Sequence, residues 1–349
     1  MATVTVQRQR LTRRDQVLGV VFGLWMIAGL FLDGWAHDNN KPETFFTPWH
    51  GLLYSGFIAA GATAVAVALR HRRRGVPLRD TLPMGHGMTM LGLAVFAASA
   101  VGDLIWHELL GIETGIEALL SPTHLGLLVG GLIALSAPVR NAWRDSPAEP
   151  ASLREFLPTV LCMALLAALV GFFLMWLSPF ANDAAGQAFA RPPGATHTHP
   201  SSILAESNQI IGLASILMTT VVLSVPIQLT LRRWRPPMGA FRVLIGFVVF
   251  LFLGLGEFRE LPVLGGALLA GWVADHVVRL RRDWLVSAAA VAVLWSSYFA
   301  LYHAFMGGVR WAPDLWGGAI VLSALLAAGI GLLAAPPLWT SSPEGAASP

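Results

Sequence analysis

Apolar residues in this chain run in long blocks, and polar residues gather at the ends of those blocks. A membrane helix needs about 20 largely apolar residues to cross the hydrocarbon core. Blocks that qualify lie at 17–37, 49–70, 86–109, 122–139, 157–179, 202–230, 241–257, 261–278, 284–305 and 316–336. The pattern predicts an all-α polytopic membrane helix bundle of about ten spans, arranged as five helical hairpins. Only the short stretch Gly256-Glu257-Phe258-Arg259-Glu260 separates the seventh block from the eighth.

Composition closes off the soluble alternative. Of 349 residues, 55% are hydrophobic and 12% charged, where a soluble domain carries about 25% charged residues. Mean hydropathy is +0.63. The pI near 9.6 reflects a net charge of only +3, too little to point to nucleic acid. The single Cys162 excludes a disulfide framework and any Cys-based zinc or iron–sulfur site.

Charge placement sets an expected orientation. Basic residues collect on the cytoplasmic side of membrane proteins. Here 19 of 23 lie before span one or in the loops after spans two, four, six and eight, leaving Lys41, Arg191, Arg259 and Arg310 on the other side. Both termini are therefore expected in the cytoplasm. The basic N-terminus is read as leading into a first membrane helix, because no small-residue cleavage site follows the first apolar run. The excess of Arg over Lys, with abundant Ala, fits a GC-rich bacterial genome and thus a bacterial inner membrane.

Histidines sort the opposite way. His37, His50, His107, His124, His197, His199 and His303 fall at or near the expected outer ends of spans. Two consecutive hairpins share a pattern. The first reads Asp33-Gly-Trp-Ala-His37, Glu43-Thr44, then Thr47-Pro48-Trp49-His50. The second reads Asp103-Leu-Ile-Trp-His107, Glu113-Thr114, then Ser121-Pro122-Thr123-His124. The offset is 70 through the Thr and 74 from the Pro onward. This is the signature of an internal repeat. It marks residues 1–140 as duplicated metal-site hairpins and 141–349 as further membrane bundle, the whole forming one integrated membrane domain.

An Asp and a His at i and i+4 share one helix face. Thr47 and Ser121 stand at N-cap positions with proline at the first helical residue. His50 and His124 are thus expected in the first turn of each returning helix, level with the Asp–His pair. The bland alternative is a hydrogen-bonded Asp–His staple. The repetition favours metal, and two imidazoles with one carboxylate suit Cu(II), Zn(II) or non-haem Fe(II). Spacing alone does not choose among them.

At these residues the chain resembles the membrane C subunit of particulate methane and ammonia monooxygenases. That family has an Asp and a His one turn apart, followed after twelve residues by a His in a Thr-Pro-Ser-His context, and a second such set in the next hairpin. The resemblance covers about residues 17–140. It implies copper, with Asp33, His37 and His50 as one site and Asp103, His107 and His124 as a second. It also implies partner membrane subunits or a periplasmic copper or electron carrier. Trp49 stands where the family has Ser, Asp103 where it has Asn, and spans five to ten have no recognised counterpart.

Three further features complete the expectation. His197, His199 and Glu206 form an additional candidate ligand set on the outer side. Glu257 and Glu260, flanking Arg259, read as a solvated turn pair rather than an acid–base couple. Only Asp275 and His276 lie deeper, which argues against transport across the bundle. The functions in play are copper-dependent oxidative catalysis of the monooxygenase type, copper handling and delivery, and an intramembrane zinc hydrolase using Glu108, Glu113 or Glu117 as base.

Overall fold

The computed structural model describes residues 12–41, 46–73, 86–111, 115–182, 185 and 200–335. They form a polytopic helical membrane bundle. Its helices are α1 (Arg13–Asp38), α2 (Pro48–Arg73), α3 (His86–Leu110), α4 (Pro122–Leu135), α5 (Ala137–Asp145), α6 (Leu153–Phe172), α7 (Pro200–Arg233), α8 (Ala240–Leu255), α9 (Val263–Val277), α10 (Asp283–Phe305) and α11 (Pro313–Ala334). Among the described residues, nine helical segments are long and apolar enough to cross a membrane; α8, at 16 residues, is shorter. At 1.5 Å per residue α8 spans only about 24 Å.

The expected block 122–139 breaks where the sequence requires it. Pro138 lacks the N–H that would continue the helix, so α4 ends at Leu135 and α5 begins at Ala137. Freed carbonyls at this break find other donors. The Arg140 guanidinium donates to Ile133 O at 2.6 Å, and the Cys162 thiol donates to Leu135 O at 2.9 Å. The fifth block also shifts: α6 starts at Leu153, capped by Ser152, and ends seven residues before 179. Pro158 leaves Arg154 O without its helical donor, and Arg13 supplies one from α1 at 3.2 Å.

Two hairpins, α1–α2 and α3–α4, stand against α6, which also contacts α7 and α8. Most of the α6 apolar window is buried, so it is the shared wall between the hairpins and the remaining bundle. Phe31 of α1 packs on Phe172 of α6 and on Phe252 of α8, each with ring centroids 5.2 Å apart.

The duplication seen in the sequence recurs in the crossings. A Cβ on Gly56 would sit 2.6 Å from Met26 N, and one on Gly130 would sit 2.5 Å from Phe96 N. Gly130 is Gly56 shifted by 74, and Phe96 is Met26 shifted by 70. Each hairpin therefore closes by backbone-to-backbone contact at the same register, which only glycine permits. The next crossing level up is reciprocal: Gly29 meets Leu53 in the first hairpin, and Gly126 meets Ser99 in the second.

Asp275 has a structural task. Its carboxylate accepts from Gly239 N at 2.9 Å and Phe241 N at 3.0 Å, capping the start of α8 from α9. No side chain of α8's own N-cap does this. His276 is tied through Nδ1 to Trp272 O at 2.8 Å. Asp275→Ala should therefore lower stability by about 2 kcal/mol, read as a lower melting temperature in detergent.

Candidate metal centre

In the second hairpin, α3 carries Asp103 and His107 one turn apart, facing the start of α4. His107 Nε2 lies 3.3 Å from Asp103 Oδ2. On the other side of the ring, Nδ1 is 3.4 Å from Gly111 O. Gly111 ends α3 with φ +86°, a left-handed cap that turns the chain back past the ring. A ring proton directed at that carbonyl leaves the Nε2 lone pair facing a carboxylate oxygen. Something positive must then lie between them, a second proton or a cation.

The α4 side is organised by hydroxyls. Ser121 caps the helix, its Oγ accepting from His124 N at 3.2 Å, with Pro122 next in sequence. The same Oγ lies 2.8 Å from His124 Nδ1 and 2.9 Å from Thr123 Oγ1. Thr123 donates to Asp103 Oδ1 at 2.9 Å. Each hydroxyl has one proton. With Thr123 spending its proton on Asp103, Ser121 donates to Thr123, and His124 Nδ1–H donates to Ser121. The relay fixes the tautomer and ring orientation of His124, the usual task of groups behind metal ligands.

Asp103 is 2% exposed, and His124 Nδ1 is 3.3 Å from its Oδ1. Ligand atoms of Asp103, His107 and His124 all lie within 4.8 Å of one another. Two atoms bound to one ion at 2.0–2.1 Å in tetrahedral geometry stand roughly 3.3 Å apart. The separation of His107 Nε2 from Asp103 Oδ2 matches that spacing, so the group can hold a metal ion.

The first hairpin repeats part of this. Thr47 Oγ1 lies 2.8 Å from His50 Nδ1 and accepts from His50 N at 3.5 Å, as Ser121 does for His124. His50 Nε2 lies 3.5 Å from Asp33 Oδ1. Two differences separate the copies. Trp49 occupies the position of Thr123, so that hydroxyl has no counterpart in the first hairpin. His37 does not join Asp33 and His50 as closely as expected: among the described residues, only the second hairpin gathers three ligand atoms within 4.8 Å.

Both sets nevertheless open on one cavity of about 250 Å³, with Asp33, His37 and His50 on one side and Asp103, His107 and His124 on the other. Its remaining lining is largely apolar, including Met26 of α1, and Leu169, Phe172 and Met175 of α6 and the turn after it. Tyr54, one turn after His50, also lines it, with rings nearly parallel and centroids 6.3 Å apart.

Other expected residues fall elsewhere. Glu206 is half-buried on α7 and Glu108 is exposed on α3, and neither lines this cavity. His197 and His199, Glu43 and Thr44, Glu113 and Thr114, and the Glu117 side chain lie outside the described residues. The solvated pair is Glu257 with Arg259, at 2.9 Å. Glu257 also accepts from the Trp35 indole at 3.4 Å, and these two bonds hold its carboxyl below the usual carboxylate range. Glu260, expected beside them in solvent, is instead 6% exposed, because the tight turn before α9 rotates it inward.

Sequence reasoning missed Tyr54, Thr123 and the α6 wall. Tyr54 is at i+4 from His50, a spacing that places it on the ligand face. Thr123 sits inside the repeated motif. Leu169, Phe172 and Met175 carry no local signal. Thr123→Val, which keeps the shape and removes the hydroxyl, should weaken metal binding by about 10- to 100-fold with the fold intact, measured by competition with a chelator. Comparison of the chain with models of known protein families, with curated proteins and with solved structures returned no match.

Proposed function

We propose that this chain is an integral-membrane copper protein whose duplicated hairpins carry out oxidative chemistry on a small molecule held between them. The observation that carries the reading is the convergence of Asp103, His107 and His124 beside a cavity shared with Asp33, His37 and His50. The donor set suits Cu(II), Zn(II) or Fe(II). Copper is favoured by the resemblance of the two hairpins to the monooxygenase C subunit, and by the thioethers of Met26 and Met175 in the lining, soft groups compatible with Cu(I).

Copper, when bound, supplies one-electron and oxygen chemistry. The protein's own part is orientation and exclusion. The Ser121–Thr123 relay and the Gly111 carbonyl hold the two imidazoles, and Asp103 balances charge where ionisable groups are costly. Leu169 and Phe172 keep water from the inner side of the cavity. The basic-loop pattern supports a periplasmic setting for this end of the bundle, where a copper or electron carrier or partner subunits would dock.

Copper handling is the second reading. It is favoured by the inequality of the hairpins, since Asp33, His37 and His50 gather less closely than Asp103, His107 and His124 and would make a weaker acceptor beside a stronger one. The hydrolase reading has less support, because no glutamate among the described residues lines the cavity.

Elemental analysis of protein purified from membranes supplied with copper, zinc and iron tests the proposal. Copper is expected to be retained, and His107→Ala to lose it. Retention of zinc without copper would rule out the oxidative reading.

A further inference from the structure

At the end of the bundle opposite the candidate metal centre, an open cleft of about 690 Å³ lies between the end of α7, the turn into α10 and the end of α11. Its lining includes five arginines, Arg232, Arg233, Arg235, Arg281 and Arg282, against one carboxylate, Asp283. Two of the five are committed to the fold. Arg233 donates to Trp143 O and Ser146 O, each at 2.6 Å, fastening α7 to the end of α5. Arg235 holds Asp283 at 2.5 Å, which uses the only acid in the lining.

The other three are not so engaged. The guanidinium groups of Arg232, Arg281 and Arg282 have no carboxylate partner among the described residues, and all three side chains are exposed. Arg281 adopts φ +53°, an uncommon backbone for a residue with a Cβ. That turn presents Arg281 and Arg282 consecutively at the cleft. Orientation in the membrane needs basic loops, but it does not need them gathered around a concavity.

The rim of the cleft is amphipathic. Trp143 and Trp284 line it, and Trp favours the level of lipid headgroups. Leu332 and Leu333, at the adjoining end of α11, are 60% and 88% exposed. Concentrated positive charge therefore meets apolar surface at one membrane boundary. Guanidinium forks recognise phosphate oxygens in pairs.

We propose that this cleft binds the phosphate headgroup of an anionic phospholipid, with Arg232, Arg281 and Arg282 on the phosphate and Trp143, Trp284 and the end of α11 against the glycerol and upper acyl chains. A free phosphate shares the charge chemistry but would make no use of the apolar rim. The site is independent of the metal centre.

The test uses the full chain in neutral detergent, titrated with phosphatidylglycerol, phosphatidylcholine or inorganic phosphate and read by native mass spectrometry and melting temperature. Wild type should retain phosphatidylglycerol over phosphatidylcholine, and inorganic phosphate should not stabilise it. Arg232→Gln/Arg281→Gln/Arg282→Gln should bind phosphatidylglycerol roughly a hundredfold more weakly, while Arg259→Gln at the opposite end should not change binding. Should the triple variant melt early in phosphatidylcholine, Arg282→Gln alone should still show a loss of about fivefold. Equal binding of the two lipids, unchanged binding in the variants, or full stabilisation by inorganic phosphate would each overturn the assignment.

Discussion

Replacing Asp103 with alanine is expected to reduce metal affinity by at least about 100-fold, more than the same change at Asp33. Asp103 is the point where three interactions meet: His107 at 3.3 Å, His124 at 3.3 Å and the Thr123 hydroxyl at 2.9 Å. Removing it deletes the only carboxylate of the gathered group and leaves Thr123 without its acceptor, which unlocks the hydroxyl relay that orients His124. Asp33 stands farther from His50, at 3.5 Å, and Trp49 occupies the position of Thr123, so Asp33→Ala should cost about tenfold or less. Asp103→Asn separates charge from shape. It keeps an oxygen for Thr123, so the fold should hold while metal binding weakens. Chelator competition on the three purified variants gives the ranking, and equal losses from Asp33→Ala and Asp103→Ala would contradict it.

The second large effect is steric. Gly130→Val should destabilise the α3–α4 hairpin by about 3 kcal/mol or more, because its first side-chain atom would lie 2.5 Å from the backbone nitrogen of Phe96. A backbone cannot step aside as a flexible side chain can. The helices must separate, and Asp103 and His107 on one then lose register with His124 on the other. Metal binding should fall together with melting temperature. Gly56→Val should do the same to the first hairpin, where the contact is Met26 N. Gly61→Ala is the contrast. No atom lies within 4 Å of the added Cβ, and replacing glycine inside a helix gains about 1 kcal/mol of intrinsic propensity, so it should be neutral or stabilising.

These two expectations mark what was legible in the chain. Span positions follow from length and apolarity, and the candidate ligands follow from the repeated Asp-x3-His and Pro-x-His elements. The capping roles of Thr47 and Ser121 were readable from their place before proline. What could not be read is whatever depends on a helix end or a distant wall. His37 and His107 have the same local motif, yet among the described residues only His107 gathers with a carboxylate and a second imidazole within 4.8 Å. Pro138 divides a block that hydropathy shows as continuous. Asp275 reads in the sequence only as one of two polar groups deeper in the bundle, whereas it caps the α8 backbone. The cavity wall from α6 consists of ordinary apolar residues, whose part is set by the packing of Phe172 against Phe31. The equivalence of Gly56 and Gly130 under the 70/74 offset emerges only from what they touch.

The most direct measurement is an anomalous-scattering map at the copper edge from crystals of the copper-loaded full chain. The account predicts a peak bonded to Asp103, His107 and His124 in the second hairpin, at the edge of the cavity that also receives Asp33 and His50. A copper-loaded protein whose anomalous peak lies away from these three side chains would contradict it.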